Sequence, residues 1–163
     1  MKKLVLILLL VSYSCGTDAS GLDDYEHSGG VVPYALSTKL NASTWKITFF
    51  SNNGLEETSL YSSYVFKFNK NEDVLNVNSG KVEVNYQANK YEGIWSVYQK
   101  IISYNPSQEV LEFGCFIALS FVSPNDLLKI EGEWQSVMET NTKIVFVKKF
   151  NNEIVSYLTF EKY

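Results

Sequence analysis

Trp45-Lys46-Ile47-Thr48-Phe49 and Tyr64-Val65-Phe66-Lys67-Phe68 each set an apolar or aromatic side chain at every second position. That period of two marks a strand with one buried face, because successive side chains of an extended chain point to opposite sides. Between the two stretches, Asn52-Asn53-Gly54 offers a turn, since Asn and Gly tolerate positive φ. The same texture runs on. A polar turn is expected over Asn69 to Asp73, then Leu75 and Val77 lead to a second turn at Asn78-Ser79-Gly80. Val82, Val84 and Tyr86 alternate with Glu83 and Asn85, and Trp95 and Val97 share one face of a strand near Tyr91 to Gln99.

Asn105-Pro106-Ser107 breaks the chain before Leu111, Phe113 and Cys115 alternate again. The nearly continuous apolar run Phe116 to Val122 fits a buried strand or a short helix, and periodicity does not separate the two. Ser123-Pro124-Asn125-Asp126 ends it and is suited to cap a single helical turn through Leu128. Trp134 and Met138 are expected on one face of the next strand. Ile144 and Phe146 mark another, Asn151-Asn152 turns the chain, and Ile154, Leu158 and Phe160 line the last strand. About eight short strands with few helical signals describe an all-β domain: an antiparallel up-and-down barrel, with a β-sandwich as the alternative.

Glu92-Gly93-Ile94-Trp95-Ser96-Val97 is echoed by Glu131-Gly132-Glu133-Trp134-Gln135-Ser136-Val137. A glycine at a strand start lets a tryptophan ring pack over the backbone, which supplies a physical reason for the pair; coincidence in an aromatic-rich chain is the other reading. These two stretches join Trp45-Lys46-Ile47-Thr48-Phe49-Phe50, Tyr64 to Asn69, Thr142-Lys143-Ile144 and Tyr157 to Lys162. Together they resemble the lipocalin-like lipoproteins of Bacteroidetes over residues 44 to 163. The resemblance implies an up-and-down barrel carried on a lipid anchor. Its motifs are structural, and none of them is catalytic.

The N-terminus carries an address. Met1-Lys2-Lys3 is positive, Leu4 to Val11 is an unbroken apolar run, and Ser12-Tyr13-Ser14 brings small residues to Cys15. That layout is a secretory signal, and the apolar run is too short for the roughly 20 residues a membrane-spanning helix needs. A small residue before Cys15 and Gly16 after it resemble the lipobox of bacterial lipoproteins, so Cys15 is the expected lipidation site. It would bear diacylglyceryl and palmitate-type chains, each buried methylene contributing about 0.8 kcal/mol to anchoring. The expected organisation is a signal peptide over 1–14, the lipidated Cys and an acidic tether over 15–42, and a barrel over 43–163. The expected location is the outer membrane, facing periplasm or cell surface. Asp18, Asp23, Asp24 and Glu26 make the tether acidic, and Val31-Val32-Pro33-Tyr34 is suited to pack on the domain as a short extended segment.

Charge removes one class of function. After loss of Lys2 and Lys3, twelve lysines face eighteen acids, a net of −6, and the chain has no arginine. An acidic surface without guanidinium forks is unsuited to nucleic acid. The single histidine, His27, lies in the tether and not in the barrel, so a His-dependent nucleophilic device or zinc site is not expected. Glu56-Glu57 would point to opposite faces of a strand, whereas Glu131 and Glu133 would share one. A solvated edge is preferred there to a Ca²⁺ site. Cys115, among Phe113, Gly114, Phe116 and Ile117, reads as a buried inert thiol.

No enzyme, metal or cofactor is therefore expected. Trp45, Tyr64, Phe66, Trp95 and Trp134 are the residues that would line the barrel interior, around a small apolar ligand or as packed core. Two functions follow. One is a lipid-anchored envelope lipoprotein binding a small apolar molecule at an open barrel end. The alternative is a protein–protein interaction or scaffold module of the cell envelope.

Overall fold

The computed structural model describes residues 33–71 and 78–163. Helix α1 (Pro33–Asn41) leads into strands β1 (Thr44–Asn52), β2 (Leu55–Glu56), β3 (Tyr64–Lys70), β4 (Ser79–Tyr86), β5 (Asn89–Asn105) and β6 (Val110–Phe121). Helix α2 (Asn125–Lys129) precedes β7 (Gly132–Glu139), β8 (Lys143–Phe150) and β9 (Glu153–Lys162). Every neighbouring pair is antiparallel, and β1 pairs with both β3 and β9. Eight strands thus close into an up-and-down, lipocalin-like barrel, with β2 a short additional strand on β1. Closure removes the open sheet edges that a sandwich would have to protect.

Turn chemistry sets the registers. Asn53 (φ 50°) and Gly54 (φ 79°) form a two-residue turn that pairs Asn52 with Leu55, and Asn151 and Asn152 (φ 51° and 66°) do the same between Phe150 and Glu153. Both central residues of such a turn need positive φ, which its right-handed twist matches to the flanking strands. The apolar run after Phe116 is strand: β6 continues to Phe121, with Ile117, Leu119 and Phe121 in the core. Five residues of helix follow as α2. Leu75 and Val77 lie outside the described residues, as do Cys15, His27 and the acidic segment before Pro33.

Bulges alter three expected faces. Phe49 is displaced outward by a register shift between Ile47 and Phe49, so Phe50 takes the inward place, fully buried. A second shift between Ser136 and Met138 separates Met138 from Trp134: Met138 is exposed and Glu139 turns inward instead. One extra residue reverses the parity of everything after it. A third shift, where Lys148 and Lys149 of β8 meet β9, turns Ile154 outward, 43% exposed, instead of in line with Leu158 and Phe160. A further shift, between Ile101 and Ser103, lies in the β5–β6 hairpin.

The tether expected to reach residue 42 gives way to structure at Pro33. Pro33–Asn41 is helical, not extended, and Leu36 and Leu40 are fully buried in the core. So short a helix has little stability alone and persists because its apolar side is packed. The end of the barrel where β1 begins is covered by α1. Its Ser37 hydroxyl donates to Asn78 Oδ1 (2.7 Å), and the Asn41 side chain accepts from the Lys70 amide (2.9 Å). The opposite end is covered by the 3-10 turn Thr58–Tyr61 and by α2, which Tyr61 joins by donating to the Asp126 carbonyl (2.6 Å).

Candidate functional site

The five expected lining residues do converge on the barrel interior, from β1, β3, β5 and β7. Trp45 and Phe66 are fully buried, and Tyr64, Trp95 and Trp134 are nearly so. They belong to one contiguous cluster that occupies the interior from α1 to α2. Edge-to-face aromatic pairs run through it: Phe66–Phe160 at 5.2 Å between centroids, Phe68–Trp95 at 5.8 Å and Phe50–Trp134 at 6.3 Å. Such offset geometry places the positive edge of one ring on the negative face of another and adds to the burial of large apolar area.

Each tryptophan has also satisfied its one polar group within the protein. The indole N–H of Trp45 donates to the Leu40 carbonyl (2.9 Å), tying β1 to the end of α1. That of Trp134 donates to the Ile130 carbonyl (2.8 Å), tying β7 to the end of α2. The Trp95 indole is shared between the Asn69 and Lys81 carbonyls (3.3 and 3.2 Å). A ligand in the lumen would have to displace these rings. The described geometry is that of a packed core.

The two Gly-x-Trp echoes flank the same strand. Gly93 pairs with Phe121 and Gly132 with Leu119, so Trp95 and Trp134 stand on either side of β6. The glycines serve different needs. A Cβ on Gly93 would lie 2.5 Å from the Phe121 ring, whereas Gly132 has room but a φ of +91°.

Polar groups in the interior gather near α1. Lys39 of α1 donates to Glu139 Oε2 at 2.8 Å, and Glu139 is almost wholly buried. Glu139 Oε1 and the Ser136 hydroxyl have no protein partner there. Cys115 is close enough that burial first, and the charge of Glu139 second, push its thiol from 9.0 up to about 12. A thiol so protonated is not a nucleophile, in keeping with the inert reading. At the other end, burial and then Asp126 raise the Tyr64 hydroxyl to about 12, and Tyr61 is raised for the same reasons in the same order.

The acidic residues singled out by sequence do not form a site. Glu57 pairs with Lys129 (2.6 Å) and Glu133 with Lys100, while Glu131 accepts from the Phe121 amide and the Ser120 hydroxyl. Among the described residues, no three His, Cys, Asp or Glu side chains are placed to share a metal.

Concave surface lies outside the wall. A cavity of about 650 Å³ opens over β4, β5 and β6, against the outward-facing Lys81, Glu83, Ile94, Ser96 and Ala118. Its floor is shallow because Ser96 and Ala118, paired across β5 and β6, are small. Sequence reading missed this feature, since small outward residues on three separate strands carry no signal until the barrel aligns them. No family model, curated protein or solved structure matches the chain.

Proposed function

We propose that this chain is a lipid-anchored lipoprotein of the bacterial envelope whose lipocalin-like barrel serves as an interaction or scaffold module, acting through its outer surface and not as an enzyme. The observation that carries the choice of surface over lumen is the aromatic filling of the barrel, with both ends covered and the three indoles bonded within the protein. The anchor rests on the order of charge, apolar run and small residues before Cys15. A carrier of small apolar molecules needs an apolar pocket of a few hundred Å³ that encloses most of the ligand. The outer-wall cavity over Ile94 supports a second reading, in which such a molecule docks on the wall and not in the lumen.

Fractionation of cells expressing the full chain and its Cys15→Ser variant tests the anchor. The parent is expected in the membrane with an acyl mass on Cys15, and the variant released; unchanged retention of the variant would refute tethering through this residue. Native mass spectrometry of the protein taken from its own envelope tests the module. Retention of a protein partner supports it, whereas a bound lipid-sized mass competed off by Phe66→Trp would return the function to the lumen.

A further inference from the structure

The β5–β6 hairpin outgrows the barrel. Pairing of β4 with β5 ends at Ser96, and pairing of β6 with β7 starts at Phe116, so residues 98–114 form a two-stranded arm without sheet neighbours. The arm is amphipathic across its two faces. On the face that continues the barrel interior, Ile101 pairs with Phe113 and Tyr104 with Leu111. These four are 55%, 38%, 57% and 41% exposed. The reverse face carries Lys100, bonded to Glu133, together with Ser103 and Glu112, beside the half-exposed Ile102 and Val110. Natural edges are usually blunted by charge, whereas the uncovered face here has none.

Position indicates what covers that face. The up-and-down order places the β5–β6 turn at the same end of the barrel as α1, and therefore at the end where the chain enters from Cys15. Seventeen residues lie between Cys15 and Pro33 and span at most about 60 Å. The arm from residue 98 to 105 is about 26 Å long. A protein held through Cys15 thus has enough chain to set its arm against the bilayer that holds the lipid. A face without charge, backed by one that carries Lys100 and Glu112, matches a water–hydrocarbon boundary, and Tyr104 has the ring type favoured there. Lying flat at headgroup depth leaves the open backbone edges hydrated, which deeper insertion would not.

We propose that the Ile101, Tyr104, Leu111 and Phe113 face of the β5–β6 arm rests on the headgroup–acyl boundary as a second membrane contact, orienting the barrel with its α2 end outward. The proposal rests on the lipid-anchor reading of Cys15. The test uses the full lipidated chain reconstituted in phosphatidylcholine vesicles whose acyl chains are brominated. Tyr104→Trp and Ile101→Trp report from the arm, and Val122→Trp, at a position 91% exposed near α2, reports from the far end. The native tryptophans are buried and serve as a constant background.

The added arm fluorescence should fall by about half, as for a ring at the headgroup–acyl boundary, while that of Val122→Trp stays unchanged. An acylated protein whose arm reporters are quenched no more than the Val122 reporter overturns the proposal and leaves the anchor standing. Disulfide-linked dimers of Tyr104→Cys with unquenched arm reporters also overturn it, and assign the face to a second copy. Absence of acyl mass on Cys15 overturns the anchor reading and the proposal together.

Discussion

Lys39 Nζ lies 2.8 Å from Glu139 Oε2, joining the covering helix to a strand one hundred residues later. The contact exists because a bulge after Ser136 turns Glu139 inward, where its carboxylate has few other partners. Lys39→Met should leave that carboxylate buried without its cation and cost about 3 kcal/mol. Lys39→Met with Glu139→Leu should recover more than half of the loss. Urea denaturation of the two variants is the check; a single variant as stable as the parent would show that the pair does not hold α1 down.

The aromatic interior should respond to truncation as a packed core. Phe66→Ala is expected to cost about 4 kcal/mol, and Trp95→Ala at least as much, through lost burial and the space left behind. Phe66→Leu, which keeps most of the volume, should cost about 1 kcal/mol. A Phe66→Ala protein of parental melting temperature would mean that the interior already holds room for a ligand.

Three glycines separate backbone conformation from crowding. Gly54→Ala meets no atom but must adopt φ +79°, so a loss of about 1 kcal/mol is expected. Gly93→Ala meets the Phe121 ring and the Ser120 carbonyl at 2.5 Å, and about 3 kcal/mol is expected. Gly80→Ala, whose new carbon would overlap the Asn69 carbonyl oxygen, should be the least tolerated. Thermal melts that reverse this order would contradict the close approach of β3 and β4.

Alkali should unfold the domain from within. Burial raises Cys115 from 9.0 to about 12 and Tyr64 from 10.0 to about 12. Both groups are neutral in the fold and ionise more readily when unfolded. Their contribution is therefore complete below about pH 9 and is lost as pH rises toward 12. The urea midpoint should be level up to pH 9 and decline above it, and Cys115→Ala should delay the decline to near pH 10, where Tyr64 begins to contribute. A midpoint that rises above pH 9 would be incompatible with these buried groups.

Alternation of Tyr64, Phe66 and Phe68, and of Val82 and Val84, was enough to read their strands and inward faces, because a pleat repeats every two residues whatever lies beside it. The turns at Asn53-Gly54 and Asn151-Asn152 were readable for an equally local reason, the tolerance of those residues for positive φ. Phe49, Met138 and Ile154 were misplaced because a bulge is a property of a strand pair, and nothing within a single strand announces it. Helix α1 was missed because its nine residues gain their stability from Leu36 and Leu40 docking against distant strands.

The five aromatic residues assigned to the interior were correctly located by pattern alone, yet pattern is silent on whether an interior is open. By itself, the sequence determined an all-β chain of about eight strands and the residues facing inward, since both follow from local parity and turn chemistry. Only the tertiary structure decided that rings from strands that do not pair meet within 5 to 7 Å and fill the barrel, and that one hairpin extends past its neighbours with an apolar face uncovered. Both depend on the diameter of closure and on unequal pairing lengths, which arise when all eight strands are assembled.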